Sequence, residues 1–233
     1  GIVQGIVGTM LIAVLVALIA FPLGVMTAIY LEEYASDSRW QRIITINIRN
    51  LAGVPSVVYG LLGLAIFVPL LAALTGGTGR NVVTASITLA VLVLPIVIIT
   101  ASEALRAVPV TLREAGYGVG ASRWEVTSKL VLPAAFPGIL TGTVLSLSRA
   151  LGESAPLIII GASSTFFSSG DQTFLQSLFG SFTALPMIVY GWSTRSQEEF
   201  RALTAAAIIV LLLVTLFANA VAILLRNKYE RTW

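Results

Sequence analysis

The chain has 233 residues, 57% of them hydrophobic and only 11% charged, with a mean hydropathy of +0.94. A soluble domain carries about a quarter charged residues, so this composition belongs to a membrane protein. Cysteine and histidine are absent and the net charge is only +3; this excludes disulfide scaffolds, Cys/His metal centres, histidine acid–base chemistry and a nucleic-acid footprint.

No charged residue precedes Glu32, and further uncharged stretches run Asn50–Gly79, Asn81–Ser102, Leu130–Ser148 and Ala202–Leu225. A bilayer crossing takes ~20 apolar residues. The pattern therefore predicts an all-α polytopic helical bundle with five spans, near 6–30, 51–74, 82–101, 134–162 and 201–225. Pro55, Gly60, Gly63, Pro95, Gly142 and Pro156 fall inside these spans, where neighbouring helices re-satisfy the backbone. The first span is not a signal peptide: it lacks a basic leader, runs too long, and no A-x-A site follows before Glu32.

Basic residues orient the bundle. Arg39, Arg42 and Arg49 lie between spans one and two; Arg106, Arg113, Arg123 and Lys129 between three and four; and Arg226, Lys228 and Arg231 follow the fifth. The alternate side holds only Arg80, Arg195 and Arg201. The first set is expected in the cytoplasm, and with it the C-terminus. The chain would then start outside, and a cytoplasmic N-terminus requires a sixth span ahead of Gly1. Glu32, Glu33 and Asp37 in the first of these loops read as a solvated face, with Asp37 or Ser38 as a helix cap.

The cytoplasmic stretch 102–133 is broken by Pro109, Gly116, Gly118, Gly120 and Pro133, which predicts two or three short helices across the inner membrane face. Its Glu114-Ala115-Gly116, Gly120, and Leu130, Leu132 and Pro133 resemble the EAA loop of ABC importer permeases, with Gly116 for the second Ala and Leu130 for Ile. In that family the loop docks on the ATP-hydrolysing subunit. The resemblance implies that Glu114, Ala115, Gly116, Gly120, Leu132 and Pro133 couple this chain to such a subunit. Gly120 would let a partner approach the backbone, Arg113 and Glu114 would supply charge, and Tyr117 and Trp124 are large anchors of the kind that dominate interfaces. No phosphate-binding G-x-x-x-x-G-K-[ST] loop occurs in the chain.

The fourth span carries Arg149 and Glu153, four apart and so expected on one face. Counted from Pro137 at ~1.5 Å per residue, Arg149 lies about 18 Å into that span, near the midplane of a ~30 Å bilayer core. A charge there is costly and faces a bundle interior or a wet path. Two readings stand: a self-satisfied ion pair locking two helices, or a gate where Arg149 meets an oxyanion and Glu153 releases it, with Ser148 adding a neutral donor. Arg suits the second because its planar fork donates two parallel hydrogen bonds. Pro156 cannot bond back to the Gly152 carbonyl, so a kink or broken turn is expected beside the pair.

The string Arg149-Ala-Leu-Gly-Glu153 resembles those of ABC importers for phosphate, sulfate and molybdate. The stretch from Asn50 to Gly60, together with 150–157 and 197–202, is similar to the phosphate-specific (Pst) permeases, their A-type subunit in particular. The likeness implies a MetI-like permease fold over 1–233 and phosphate import across a bacterial inner membrane. It implies a C-type permease as heterodimer partner, two copies of the ATP-binding subunit carrying ATP-Mg, an extracytoplasmic phosphate-binding protein and surrounding lipid. It implies no catalytic residue, metal or bound cofactor in this chain. A sulfate or molybdate permease shares the same fold and coupling. An ion-gradient carrier would instead require inverted repeats and a midplane carboxylate site. The external stretch 163–200, with Ser163, Ser164, Asp171 and Gln172 ahead of an apolar run at 185–192, reads either as a surface helix receiving the binding protein or as plain membrane-surface packing, with Tyr190 and Trp192 as interfacial anchors.

Overall fold

The computed structural model describes residues 2–36, 38–162 and 178–229. Every regular element among them is helical. Helix α1 (Ile2–Ile29) continues as a π-turn over Tyr30–Tyr34, and α2 is Arg39–Ala52. Helix α3 (Ser56–Leu62) runs through a π-turn, Gly63–Phe67, into α4 (Val68–Thr75). Then come α5 (Val82–Arg106), α6 (Val110–Gly118) and α7 (Arg123–Val126). A π-turn at Thr127–Val131 joins α7 to α8 (Leu132–Gly152), followed by α9 (Ala155–Ile160), α10 (Leu185–Ser193) and α11 (Glu199–Tyr229). Five segments are long and apolar enough to cross a membrane: Ile2–Tyr34, Ser56–Thr75, Val82–Arg106, Arg123–Gly152 and Glu199–Val221.

The limits of the expected spans shift, two of them at a proline. The second starts at Ser56 rather than 51, because residues 51–52 end α2 and Pro55 re-starts the chain as a helix N-cap. The fourth ends at Gly152 instead of running to 162. Pro156 has no N–H for the Gly152 carbonyl, so the helix closes with Glu153 N–H donating to the Ala150 carbonyl (3.3 Å), and α9 begins anew, its first bond running from Ile158 N–H to the Ser154 carbonyl at 3.0 Å. Two of the π-turns have a related cause. They end two residues before Pro69 and Pro133, whose rings crowd the carbonyl four residues back and shift the bonding to the i→i+5 register. Helix α2 lies outside the expected spans; Ser38, one of the two expected helix caps, opens it by accepting from Gln41 N–H, and the helix buries no residue.

The chain divides into two compact units. One holds residues 1–19, 54–92 and 147–218, around the fully buried Val16, Leu89, Leu157, Ile160 and Leu185. Small residues set its spacing. At Gly60 on α3 a Cβ would stand 2.8 Å from Pro156 Cα and 2.9 Å from Ile159 Cδ1, and at Gly8 it would strike the Thr183 carbonyl. The start of α10 is tied to α1 by Leu185 N–H donating to Thr9 Oγ1 at 2.8 Å. Because Gly60 meets backbone, Gly60→Val cannot be absorbed by a rotamer change. It should destabilise the protein by about 2–3 kcal/mol, read as a lower thermal midpoint of the detergent-solubilised protein.

The other unit holds residues 20–53, 93–146 and 219–233. Its core is Ala28, Ala101, Leu105, Val108, Val126, Val131, Ala135 and Ile139. Here too glycines admit close approach: a Cβ on Gly24 would lie 2.6 Å from Val97 Cγ1, and one on Gly138 2.8 Å from Ala104 Cβ.

Candidate functional site

The helix break after Gly152 fixes the first feature. Arg149 lies in the last turn of α8, not in the middle of a longer helix: counted from Leu132 it stands about 26 Å along. Glu153 lies beyond the helix end, so the pair forms across the break rather than on one helical face. Arg149 Nε and Glu153 Oε1 are 3.6 Å apart, with the side chains 45% and 20% exposed. That is an ion pair longer than a hydrogen bond, and a guanidinium has five donors, so Glu153 does not saturate Arg149. Tyr59 of α3 stands within electrostatic reach of the same guanidinium. Ser148 is half-buried beside it. The hydroxyl of Ser146 is buried and donates to the Gly142 carbonyl at 2.8 Å, leaving it bound to its own helix.

The second feature is the segment from α6 to the start of α8. The left-handed backbone at Gly120 (φ 81°) turns the chain between α6 and α7, and a Cβ there would meet nothing within 4 Å. Ser122 then opens α7 with a reciprocal capping box to Glu125. Of the residues the motif singled out, Glu114, Ala115 and Pro133 are exposed and Leu132 is half-buried. Gly116 is different. It is buried, and a Cβ would come within 2.8 Å of both Val126 and Leu130, so it packs α6 onto the following turn instead of facing outward. Tyr117, Val119 and Trp124 are exposed within four residues of Gly120, Val119 at 85% and Trp124 at 64%, and Val110 is exposed at the start of α6.

Arg113 and Glu33 behave unlike their sequence reading. Arg113 points inward: Nη2 donates to Glu33 Oε1 at 2.8 Å and to the Leu105 carbonyl at 2.9 Å, while Nη1 donates to the Val108 carbonyl at 2.7 Å. Glu33 is only 6% exposed and is no part of a solvated face. The π-turn Tyr30–Tyr34 gathers two further contacts, Glu32 with Arg106 (2.7 Å) and the Tyr34 ring with Arg123 (5.1 Å). A single turn at the end of α1 thus holds α5, α6 and α7. No spacing rule joins Glu33 to Arg113 across the intervening chain.

The apolar run after residue 184 forms α10, whose first turn, Leu185 to Ile188, is buried; Trp192 stacks edge-on against Phe200 at 6.3 Å. Ser163, Ser164, Asp171 and Gln172, as well as Asp37, lie outside the described residues. No group of three or more metal-ligating side chains is found among the described residues.

Residues 20–231 match the family of binding-protein-dependent transport system inner membrane components. The chain is 34% identical to the phosphate transport system permease protein PstA 1 of Mycobacterium tuberculosis, over 97% of this chain and 70% of that protein. It is likewise 34% identical to the PstA of Yersinia pestis (95% and 71%) and to the probable ABC transporter permease protein YqgH of Bacillus subtilis (93% and 69%). Among solved structures it resembles the inward-facing MetNI methionine ABC transporter with a TM-score of 0.73 at 17% identity, covering 99% of this chain and 95% of that one, a likeness of fold. Composition, five spans, family match and relatives agree: this chain is an integral membrane protein and belongs to the family of binding-protein-dependent transport system inner membrane components, the permeases of ABC importers.

Proposed function

We propose that this chain carries inorganic phosphate inward as one half of a permease pair. The observation that supports the cargo is the run of relatives named as phosphate transport permeases, 30–36% identical over more than nine-tenths of this chain. The physical support is Arg149, a permanently charged fork beside a helix break, incompletely matched by Glu153 and suited to a tetrahedral oxyanion. In this reading Arg149 receives phosphate, Ser148 adds a neutral donor, and Glu153 weakens the hold so that the anion leaves.

A permease of this class works with an ATPase and a substrate-binding protein. We assign it further a paralogous C-type permease as the other half, two copies of the ATPase carrying ATP-Mg, and a binding protein delivering phosphate from outside. The basic loops and the C-terminus face the cytoplasm of a bacterial cell. Segment 102–133 couples, with Glu114, Ala115 and the Gly120 turn meeting the ATPase while Gly116, Leu132 and Pro133 shape the segment.

Cargo is tested by ATP-driven uptake of labelled phosphate in proteoliposomes holding the complex. Excess unlabelled phosphate should suppress the signal, whereas equal sulfate or molybdate should leave it within about twofold; suppression by sulfate or molybdate instead would reassign the cargo. Docking is tested at Gly120. Gly120→Ala and Gly120→Trp share the same backbone strain, about 1–2 kcal/mol, but only Trp adds bulk to the surface. Gly120→Trp should reduce co-purified ATPase several-fold relative to Gly120→Ala; equal recovery would show that nothing docks there.

A further inference from the structure

One cluster of arginines serves neither the gate nor the coupling surface. Arg42 and Arg49 on α2 and Arg106 at the end of α5 line a cavity of about 270 Å³ with Gln41, Thr45 and Ile46. No carboxylate lines it. Glu32 and Glu103 border a smaller adjoining cleft that shares Arg49 and Arg106, and Glu32 is engaged by Arg106 at 2.7 Å. Among the described residues, neither Arg42 nor Arg49 has a carboxylate within 4.0 Å. The stripe Arg42, Thr45, Arg49 recurs at helical steps, so both guanidiniums face the cavity side of α2 together. The Gln41 amide already gives one hydrogen to the Leu31 carbonyl (2.8 Å) and the Thr45 hydroxyl its only one to the Gln41 carbonyl (2.9 Å), so among the described residues Arg42 and Arg49 are the charged donors at the cavity that no carboxylate engages. Two such forks around one void select a phosphate-type oxyanion.

The rest of α2 indicates the source of that anion. The helix buries no residue, and Trp40, Ile43, Ile44 and Leu51 are exposed on it. A helix with an apolar, Trp-bearing flank and an arginine stripe lies in the membrane interface, where headgroups and the first acyl carbons are within reach. Basic pockets among spanning helices on the cytoplasmic face take anionic headgroups. We propose that this cavity holds the phosphodiester headgroup of an anionic phospholipid, with its acyl chains along the apolar flank of α2, so that lipid joins α2 to the end of α5.

The inference rests on the chain spanning a membrane but not on its cargo, and its test reads bound lipid instead of transport. The complex is purified from nanodiscs of phosphatidylcholine with one-third phosphatidylglycerol, and retained lipid is counted by native mass spectrometry for the wild type, Arg42→Gln/Arg49→Gln, and Arg39→Gln. Arg39 is also on α2 but outside the cavity lining, so its variant controls for general surface charge. The double variant should lose at least about fivefold of the retained phosphatidylglycerol while Arg39→Gln keeps it. Equal retention in the double variant, or an equal loss in Arg39→Gln, would overturn the site. A final arm adds millimolar inorganic phosphate: unchanged lipid retention supports the headgroup, and displacement of lipid by phosphate would overturn it in favour of the free ion.

Discussion

Arg149→Gln should reduce phosphate uptake by about a hundredfold or more while the complex still assembles. A hydrogen bond to a charged group contributes ~1.5–3 kcal/mol, and each 1.4 kcal/mol is a factor of ten; losing two parallel bonds to an oxyanion therefore accounts for roughly two orders of magnitude. Assembly should survive because the side chain is nearly half exposed and its ion pair with Glu153 is long, so no buried charge is stranded. Arg149→Lys keeps the charge but not the fork and should retain intermediate uptake. Transport in Gln proteoliposomes at the wild-type rate would remove Arg149 from the pathway.

The second large effect is expected at Arg113. Its guanidinium joins buried Glu33 to the carbonyls of Leu105 and Val108, so Arg113→Met leaves a carboxylate buried without its partner and takes a donor from each carbonyl, Leu105 keeping only the Val108 N–H at 3.3 Å. Breaking a buried pair in this way costs about 3–5 kcal/mol. The thermal midpoint should fall. Because Arg113 immediately precedes the proposed coupling residues, phosphate moved per ATP hydrolysed should fall with it. Glu33→Gln keeps a polar acceptor and removes the stranded charge, so the double variant Glu33→Gln/Arg113→Met should recover part of the stability but not the coupling. A single variant with wild-type midpoint and wild-type stoichiometry would show the joint to be dispensable.

Much of this was readable from the chain because hydrocarbon imposes simple rules. Uncharged runs located all five spans, and Pro156 located the break beside Arg149. The glycine- and proline-broken stretch after Arg106 did resolve into short helices. What escaped the sequence has physical causes. Asp37 or Ser38 was legible as a helix cap, but the extent of α2 was not, because it lies outside the apolar stretches and ends where Pro55 re-starts the chain rather than where hydropathy changes. The expected fourth span ran on to 162, whereas α8 ends at Gly152 and so places Arg149 in its last turn. Gly116, expected among the coupling residues, packs against Val126 and Leu130, and Glu33, expected on a solvated face, faces Arg113. The direction of a side chain such as Glu33 near a helix end follows from tertiary packing and not from spacing. The docking and gating roles of Glu114, Gly120, Arg149 and Glu153 come from motif resemblance and site chemistry, which the experiments above address.

The central claim is that Arg149 borders a water-filled route for oxyanions, and the absence of cysteine makes a direct measurement simple. A thiol reacts with methanethiosulfonates as the thiolate, which forms only where water reaches it. Arg149→Cys in the assembled complex is treated with membrane-impermeant charged reagents, with and without phosphate during ATP turnover, against a wild-type control. The account predicts modification of Cys at this position, protection by phosphate but not by chloride, and partial return of uptake only with a cationic reagent that restores the charge. A thiol that stays unreactive to both charged reagents in every condition would contradict it, placing position 149 in lipid or in a dry helix contact.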